Sequence, residues 1–164
     1  MSVLLANLKT LLNEYGQSIN SGKTIVEVNS TGCIDTQVPT LPGVYWIETT
    51  MPVDVMRAAI SEVLEKEKRV RKTPPQGTKL IEQRNSEFYV AYSGTEDDLR
   101  KRLKQHLFNQ GHADTVKLGC VIDEYPFSQY RWRIGFAVID SYEFRYAVEA
   151  WWRLNIGWPP FCLR

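Results

Sequence analysis

The stretch Glu87–Leu107, EFYVAYSGTEDDLRKRLKQHL, predicts a strand, a glycine turn and the first turns of a basic helix. Aromatic and β-branched residues alternate with their neighbours up to Tyr92, and this period of two is typical of a half-buried strand. Gly94 is expected to end the strand. Thr95 is expected to cap the helix, with Asp98 three residues later completing a near capping box. Every fourth helical residue is a leucine, which predicts a stripe facing a core: Leu99, Leu103 and Leu107.

Two polar side chains lie beside this stripe on the same helix. Arg102 and His106 are four residues apart, so they project from one helical face. The strand before the helix ends in a tyrosine, Tyr92. The sequence therefore predicts that a guanidinium and an imidazole are held at the end of a strand that carries a tyrosine.

Three separated segments resemble the signature of the GIY-YIG nuclease family. Tyr92-Ser93-Gly94, followed by Leu99, Arg102 and His106, resembles the second half of that signature, with Ser93 where the family usually has Ile or Val. Gly43-Val44-Tyr45, in LPGVYWIE, resembles the first half. Glu149, in the late segment RYAVEAWWRLN, resembles the family's metal-binding glutamate, and the following GWPPF resembles the segment that often closes the domain.

This resemblance implies a divalent-metal-dependent endonuclease that hydrolyses phosphodiester bonds in DNA, most simply double-stranded DNA. Tyr45 would be the general base, and Glu149 would bind one ion of Mg²⁺ or Mn²⁺. Arg102 would hold phosphate oxygens in a planar fork that lysine cannot copy, while Tyr92 and His106 would position the phosphate or the water. An unperturbed tyrosine has a pKa of about 10, so Tyr45 would need a nearby cation or metal to act as a base.

The rest of the chain predicts a single α+β domain over residues 1–164, with a small antiparallel or mixed sheet flanked by helices. The family fold is similar, with a three-stranded antiparallel sheet and helices packed around it. Helices are expected at 3–15, which Gly16 would end, after Pro52, and at 142–154; strands are expected at 24–28, 44–49, 116–122 and 130–139; and 29–42 is expected to be a loop. The N-terminal helix falls within 1–20, and a helical, basic insert at 50–85 separates the two motif strands.

The insert concentrates positive charge in a chain whose net charge is only +1. We expect its basic residues to contact nucleic acid, and they are Lys66, Lys68, Arg69, Arg71, Lys72 and Lys79. Three nearby glutamates partly cancel this charge, so a solvated helix end is the alternative. The segment TPPQGTK breaks the helix and predicts a loop that could reach a groove.

Each of these site residues also has a structural interpretation. Strand tyrosines usually pack in a core. Arg102 could pair with Asp98, Glu149 could pair with Arg145 or Arg153, and His106 could be an ordinary surface histidine.

Two other classes of function remain open at this point. One is a non-catalytic nucleic-acid-binding module, in which the basic segment from Lys66 to Lys79 and the aromatic strands bind nucleic acid without cutting it. The aromatic residues that could stack on bases are Trp46, Tyr89, Tyr130 and Trp132. The other is a protein-interaction domain that uses the N-terminal helix. Metal-dependent cutting of plasmid DNA separates the enzyme from both.

Composition excludes several further classes. The chain is 43% hydrophobic and 24% charged, with no apolar run of membrane-spanning length and no signal peptide, so a cytoplasmic protein without a membrane partner is expected. Three widely spaced cysteines and two histidines favour neither a disulfide framework nor a His-based metal site.

At this length the insert is the segment expected to recognise the DNA sequence. This favours a small restriction endonuclease, with a toxin or phage nuclease as the alternative. The oligomeric state is left open, a homodimer included.

Overall fold

The computed structural model describes residues 2–60, 74–84, 87–111 and 118–162. Over these residues the α+β prediction is confirmed, with five α-helices and a four-stranded antiparallel sheet. The helices are α1 (Val3–Gly22), α2 (Thr31–Gln37), α3 (Val53–Ala59), α4 (Leu99–Leu107) and α5 (Tyr142–Asn155). The strands are β1 (Thr24–Glu27), β2 (Gly43–Thr49), β3 (Tyr89–Glu96) and β4 (Trp132–Val138).

The sheet has the order β1-β4-β2-β3, and each neighbouring pair is antiparallel. The resemblance implies three strands, and β1 adds a fourth beyond β4. Strand β2 lies between β3 and β4, and all seven of its residues, GVYWIET, are buried. A strand reads as a continuous apolar run when both faces of its sheet are covered, which explains the absence of alternation here.

Two cores lie on the two faces of the sheet. The leucine stripe of α4 is fully buried, as predicted, and packs in one core with Tyr45 and Ile47 of β2. The alternate β2 residues, Val44 and Trp46, pack in the other core against α5. Helix α5 therefore covers the face opposite α4, and the two helices can meet only around an edge of the sheet.

A β-bulge in β3 decides which side chains face α4. Glu48 pairs with Val90, whereas the preceding residue, Ile47, pairs with Tyr92, so Ala91 is the extra residue. Directly paired residues of antiparallel strands share a sheet face. The bulge thus brings Tyr92 to the face that carries Ile47 and Tyr45.

The predicted start of α4 is wrong. Gly94 does not end β3, because the strand continues to Glu96 and Thr95 pairs with Val44. The N-cap is Asp98, whose side chain accepts a hydrogen bond from the Lys101 amide at 2.9 Å. Sheet pairing holds the backbone of Thr95 in the strand, so the helix begins three residues later than the sequence suggests.

Three other boundaries differ from the prediction. The expected loop at 29–42 contains α2, and residues 118–122 form only an isolated bridge from Val121 to Phe108 where a strand was expected. Helix α1 passes Gly16 without a break because this glycine is a packing site: a Cβ there would lie 2.2 Å from the Trp151 ring. The insert begins with α3 as predicted, with Met56 and Ile60 buried, and its residues 61–73 lie outside the described part.

Candidate active site

A cavity of about 530 Å³ opens beside the outer strand β3. Tyr45, Tyr92 and Arg102 line it from the α4 side of the sheet, and Glu149 of α5 lines it from the other side. Four of the five residues predicted to be catalytic therefore share one cavity, although they come from four different elements. The fifth, His106, lies directly behind Tyr45.

Strand pairing places the hydroxyl of Tyr45 at the floor of this cavity. Tyr45 is 1% exposed and pairs directly with Gly94 of β3. A Cβ on Gly94 would lie 2.4 Å from the Tyr45 hydroxyl oxygen, closer than real Cβ contacts allow. Gly94 thus makes room for the hydroxyl, which is a different role from the strand-ending turn that the sequence suggested.

His106 bonds to that hydroxyl and is held in one tautomer. Its Nε2 lies 2.9 Å from the Tyr45 oxygen, and its Nδ1 accepts a hydrogen bond from the Leu118 amide at 3.1 Å. Since Nδ1 is an acceptor, the ring proton lies on Nε2, which donates to Tyr45. His106 is completely buried, so its interpretation as a surface histidine is wrong.

Arg102 is the second donor to the Tyr45 hydroxyl. Its guanidinium bonds to Tyr45, donates from Nη1 to the Gln105 side chain at 2.9 Å, and lies 3.6 Å from a Glu96 carboxylate oxygen through Nε. The Asp98 carboxylate caps α4 by accepting a hydrogen bond from the Lys101 amide. The Arg102 guanidinium therefore favours the anionic form of Tyr45.

Burial makes both cavity tyrosines weak acids. Desolvation raises the pKa of Tyr45 well above its ordinary value, and Tyr92 adds to this, while the Arg102 guanidinium acts in the opposite direction. Desolvation likewise raises the pKa of Tyr92 to about 12, with Arg102 and Arg153 opposing. Arg102 is therefore the nearby cation that the sequence could not identify, although burial outweighs it.

Glu149 pairs with Arg153, one turn further along α5. Arg153 Nη2 lies 2.5 Å from Glu149 Oε1, and each side chain is 13% exposed, so this is not an ordinary surface ion pair. Arg153 also donates to the Ser93 hydroxyl at 3.0 Å and to the Ser93 carbonyl at 2.8 Å. Burial raises the pKa of the Glu149 carboxyl, and Arg153 partly offsets this.

The donor set of the cavity bears on the implied Mg²⁺ or Mn²⁺. Among the described residues, no group of three or more His, Cys, Asp or Glu side chains could hold a metal. Glu149 is the carboxylate on the cavity wall, and Arg153 engages it through Oε1. Mg²⁺ is commonly bound by one or two carboxylates together with substrate phosphates and waters. The residues present fit an ion that binds together with the substrate.

Most of the predicted nucleic-acid contacts lie outside the described residues. These are Lys66, Lys68, Arg69, Arg71 and Lys72. Lys79 is described and exposed, and its carbonyl accepts a hydrogen bond from the Trp158 amide at 2.7 Å. Pro75 lines the cavity, so the end of the insert lies at the site.

Arg153 and Trp158 line the cavity but were not predicted as site residues. The guanidinium of Arg153 lies 5.3 Å from the Trp158 ring centroid. Spacing on a helix indicates that Arg153 can reach Glu149, which it does. Only the packing of α5 against β3 makes that pair buried, and no sequence pattern shows this packing.

No described helix combines the length and apolar character needed to cross a membrane. No protein-family model, curated protein or solved structure matches this chain.

Proposed function

We propose that this protein is a divalent-metal-dependent DNA endonuclease. The observation that carries the proposal is the convergence of Tyr45, Tyr92, Arg102 and Glu149 on one cavity, with His106 bonded to Tyr45. These five residues are spread over β2, β3, α4 and α5. A cavity that combines a tyrosine held by two donors, two guanidiniums and a buried carboxylate is suited to phosphodiester hydrolysis.

In the proposed reaction, water attacks the phosphorus atom and the bond from phosphorus to the 3′-oxygen breaks. The leaving 3′-oxygen takes a proton from solvent, so the products are a 5′-phosphate and a 3′-hydroxyl. Tyr45 accepts the proton of the attacking water once it has lost its own proton to solvent. His106 and Arg102, which both donate to the Tyr45 oxygen, stabilise the resulting phenolate.

The remaining residues manage charge at the phosphate. Arg102 presents its guanidinium to the non-bridging oxygens while keeping Tyr45 in place. Tyr92, whose ring centroid lies 6.2 Å from that of Tyr45, donates its hydroxyl proton to the phosphate or the water. Glu149 would hold the divalent ion, which when bound neutralises phosphate charge and stabilises the leaving oxygen. Arg153 keeps the Glu149 carboxylate oriented toward the cavity.

The non-catalytic binding module has weaker support. Three of its four stacking candidates are almost inaccessible: Trp46 is 1%, Trp132 3% and Tyr89 5% exposed. Base stacking requires an accessible ring face. The packing interpretation of these aromatic residues is confirmed, and only Tyr130 is partly exposed.

The test is cleavage of supercoiled plasmid with Mg²⁺, with EDTA as the control. We expect nicked and linear product only with Mg²⁺. In Glu149→Gln we expect the cleavage rate to fall by about 100-fold or more, because the carboxylate charge that would hold the ion is gone. The amide oxygen of the glutamine can still accept a hydrogen bond from Arg153. Binding of DNA without metal should persist.

Glu143→Gln is the matched control, because Glu143 lies on the same helix but is exposed and outside the cavity. It should cleave like the wild type. Metal-independent cleavage, or full activity in Glu149→Gln, would remove Glu149 from the site. Discrete fragments from linear DNA would support restriction-type specificity, and a smear would support a toxin-like nuclease.

A further inference from the structure

The first four turns of α1 expose a large apolar surface. Six of its residues carry large apolar side chains that are well exposed: Val3 (77%), Leu4 (78%), Leu5 (54%), Leu8 (60%), Leu11 (62%) and Tyr15 (39%). Monomeric soluble proteins rarely expose apolar side chains in such a contiguous group. Burial of this surface against a partner would therefore be favourable.

Among the residues that the structure describes, the contacts made to this helix lie on a different face and in its far half. Leu12 and Ile19 pack against α5, and Gly16 touches the Trp151 ring. Asn13 and Asn20 accept hydrogen bonds from the indoles of Trp151 and Trp152, at 3.1 and 2.8 Å. The second half of α1 is therefore fixed to α5, and its first half projects beyond that contact.

The spacing of the exposed residues indicates what covers them. Leu4, Leu8, Leu11 and Tyr15 are separated by four, three and four positions, which is the a/d repeat of paired helices. We call these four residues the α1 seam. Such a seam is self-complementary, and in an antiparallel pair Leu4 would lie opposite Tyr15 and Leu8 opposite Leu11.

The low charge of α1 argues against a nucleic acid or an anionic membrane as the partner of this surface. Lys9 and Glu14 are the two charged residues of this 20-residue helix, and they cancel. A nucleic acid is attracted by clustered Lys and Arg. A helix that lies on an anionic membrane is typically rich in Lys and Arg on its polar face. Neither description fits α1.

The apolar surface also continues from the seam onto α5. Phe144 is 59% exposed, and its ring lies 6.1 Å from that of Tyr15 in an edge contact. Two copies of the α1 seam would thus be extended by Phe144 at each end. This matters because a seam of four residues alone is short for a stable helix pair.

We infer that the protein forms a two-fold symmetric homodimer in which the α1 seams of two copies pack against each other, flanked by Phe144. A two-fold interface uses the same patch on both subunits, as a self-complementary seam requires. The inferred dimer does not depend on the proposed nuclease activity, because no residue of the α1 seam lines the cavity.

The test is the molar mass of the wild-type chain in solution, measured by light scattering after gel filtration and by sedimentation equilibrium. The chain mass is 19.0 kDa, so we expect twice that value at concentrations of about 10–100 μM. The double variant Leu8→Glu, Leu11→Glu should have the mass of one chain, because it places two pairs of like charges across the seam. Both positions are exposed, so its circular dichroism and Tm should match those of the monomeric fold.

The matched control is Thr10→Glu with Gln17→Glu, which adds the same two charges to exposed positions on the other side of α1. It should remain a dimer. A wild type that stays monomeric at about 100 μM would overturn the inference. A double variant that still dimerises would do the same, as would a monomeric wild type that binds neutral or anionic lipid vesicles.

Discussion

The Tyr45 oxygen receives two hydrogen bonds, from His106 Nε2 and from the Arg102 guanidinium. The phenol becomes a base only after it has lost its own proton. Each donor stabilises the anion more than the neutral phenol. At the scale of single residues, the chemistry of the candidate site depends on whether the Tyr45 oxygen, held beside His106 and Arg102, is protonated.

We expect Tyr45→Phe to lower the single-turnover cleavage rate by about 100-fold or more, the contribution usual for a general base. DNA affinity should change little. The control is Tyr89→Phe, which also loses a buried strand hydroxyl, one that donates to the Met51 carbonyl at 2.8 Å. Both variants should lose similar stability, about 1–3 kcal/mol. Equal cleavage rates in the two variants would leave Tyr45 as packing.

The raised pKa of Tyr45 gives the pH dependence of the rate a definite sign. A base works when deprotonated, and burial keeps this phenol protonated near neutral pH. We therefore expect the rate to rise by about tenfold per pH unit between roughly pH 7 and 9. Single-turnover rates at fixed free Mg²⁺ measure this slope. A flat profile in the wild type would contradict the role, whereas a flat profile in Tyr45→Phe is expected.

Arg102→Lys should lower the cleavage rate by about 100-fold. The guanidinium serves Tyr45, Gln105 and Glu96 at once, and one ammonium group cannot donate in all these directions. Arg100→Lys is the control on the same helix, since Arg100 Nε donates to the Val38 carbonyl at 2.7 Å. Near-wild-type cleavage by Arg102→Lys would mean that charge alone is needed there.

At the scale of elements, periodicity predicted what depends on local geometry. Leu99, Leu103 and Leu107 are buried, and the strand and helix that carry Tyr92 and Arg102 are where the sequence suggested. The predicted start of α4 was wrong because Thr95 pairs with Val44, which lies far away in the chain. That the five site residues catalyse a reaction stays a prediction.

The contacts that complete the site have no local signal. The Leu118 amide fixes the His106 tautomer, yet it lies in a segment without regular structure. The Arg153 guanidinium becomes buried only when α5 docks against β3. Both contacts depend on how elements pack together, and a single sequence does not encode that in any spacing.

The insert, whose last part includes Pro75 at the cavity, carries the prediction for DNA contact. We expect the triple variant Arg69→Ala, Arg71→Ala, Lys72→Ala to bind DNA more weakly and to flatten the plot of log affinity against log salt. Each lost phosphate contact lowers the slope by about 0.9. Binding titrations at several salt concentrations measure it.

Arg131→Ala is the control for the triple variant, because Arg131 is exposed, pairs with Glu27 and lies outside the cavity. For this control, the slope of log affinity against log salt concentration should equal that of the wild type. An unchanged slope in the triple variant would mean that DNA binds away from the insert. Thermal unfolding should be alike in all three proteins.

At the scale of the whole molecule, the sheet is covered on both faces and the cavity opens at its outer strand. Helix α4 supplies Arg102 and His106 from one face, and α5 supplies Glu149 and Arg153 from the other. The site therefore depends on two cores at once. The sequence predicted both helices, but the order of the strands, which puts β3 outermost, came only from the structure.

The contact between α1 and α5 has an optical consequence. The indoles of Trp151 and Trp152 each donate to an asparagine of α1, and both rings are nearly inaccessible. If α1 detached, both indoles would meet water and their emission would shift to longer wavelength. The wavelength of tryptophan emission therefore reports whether α1 is packed against α5, and no added label is needed.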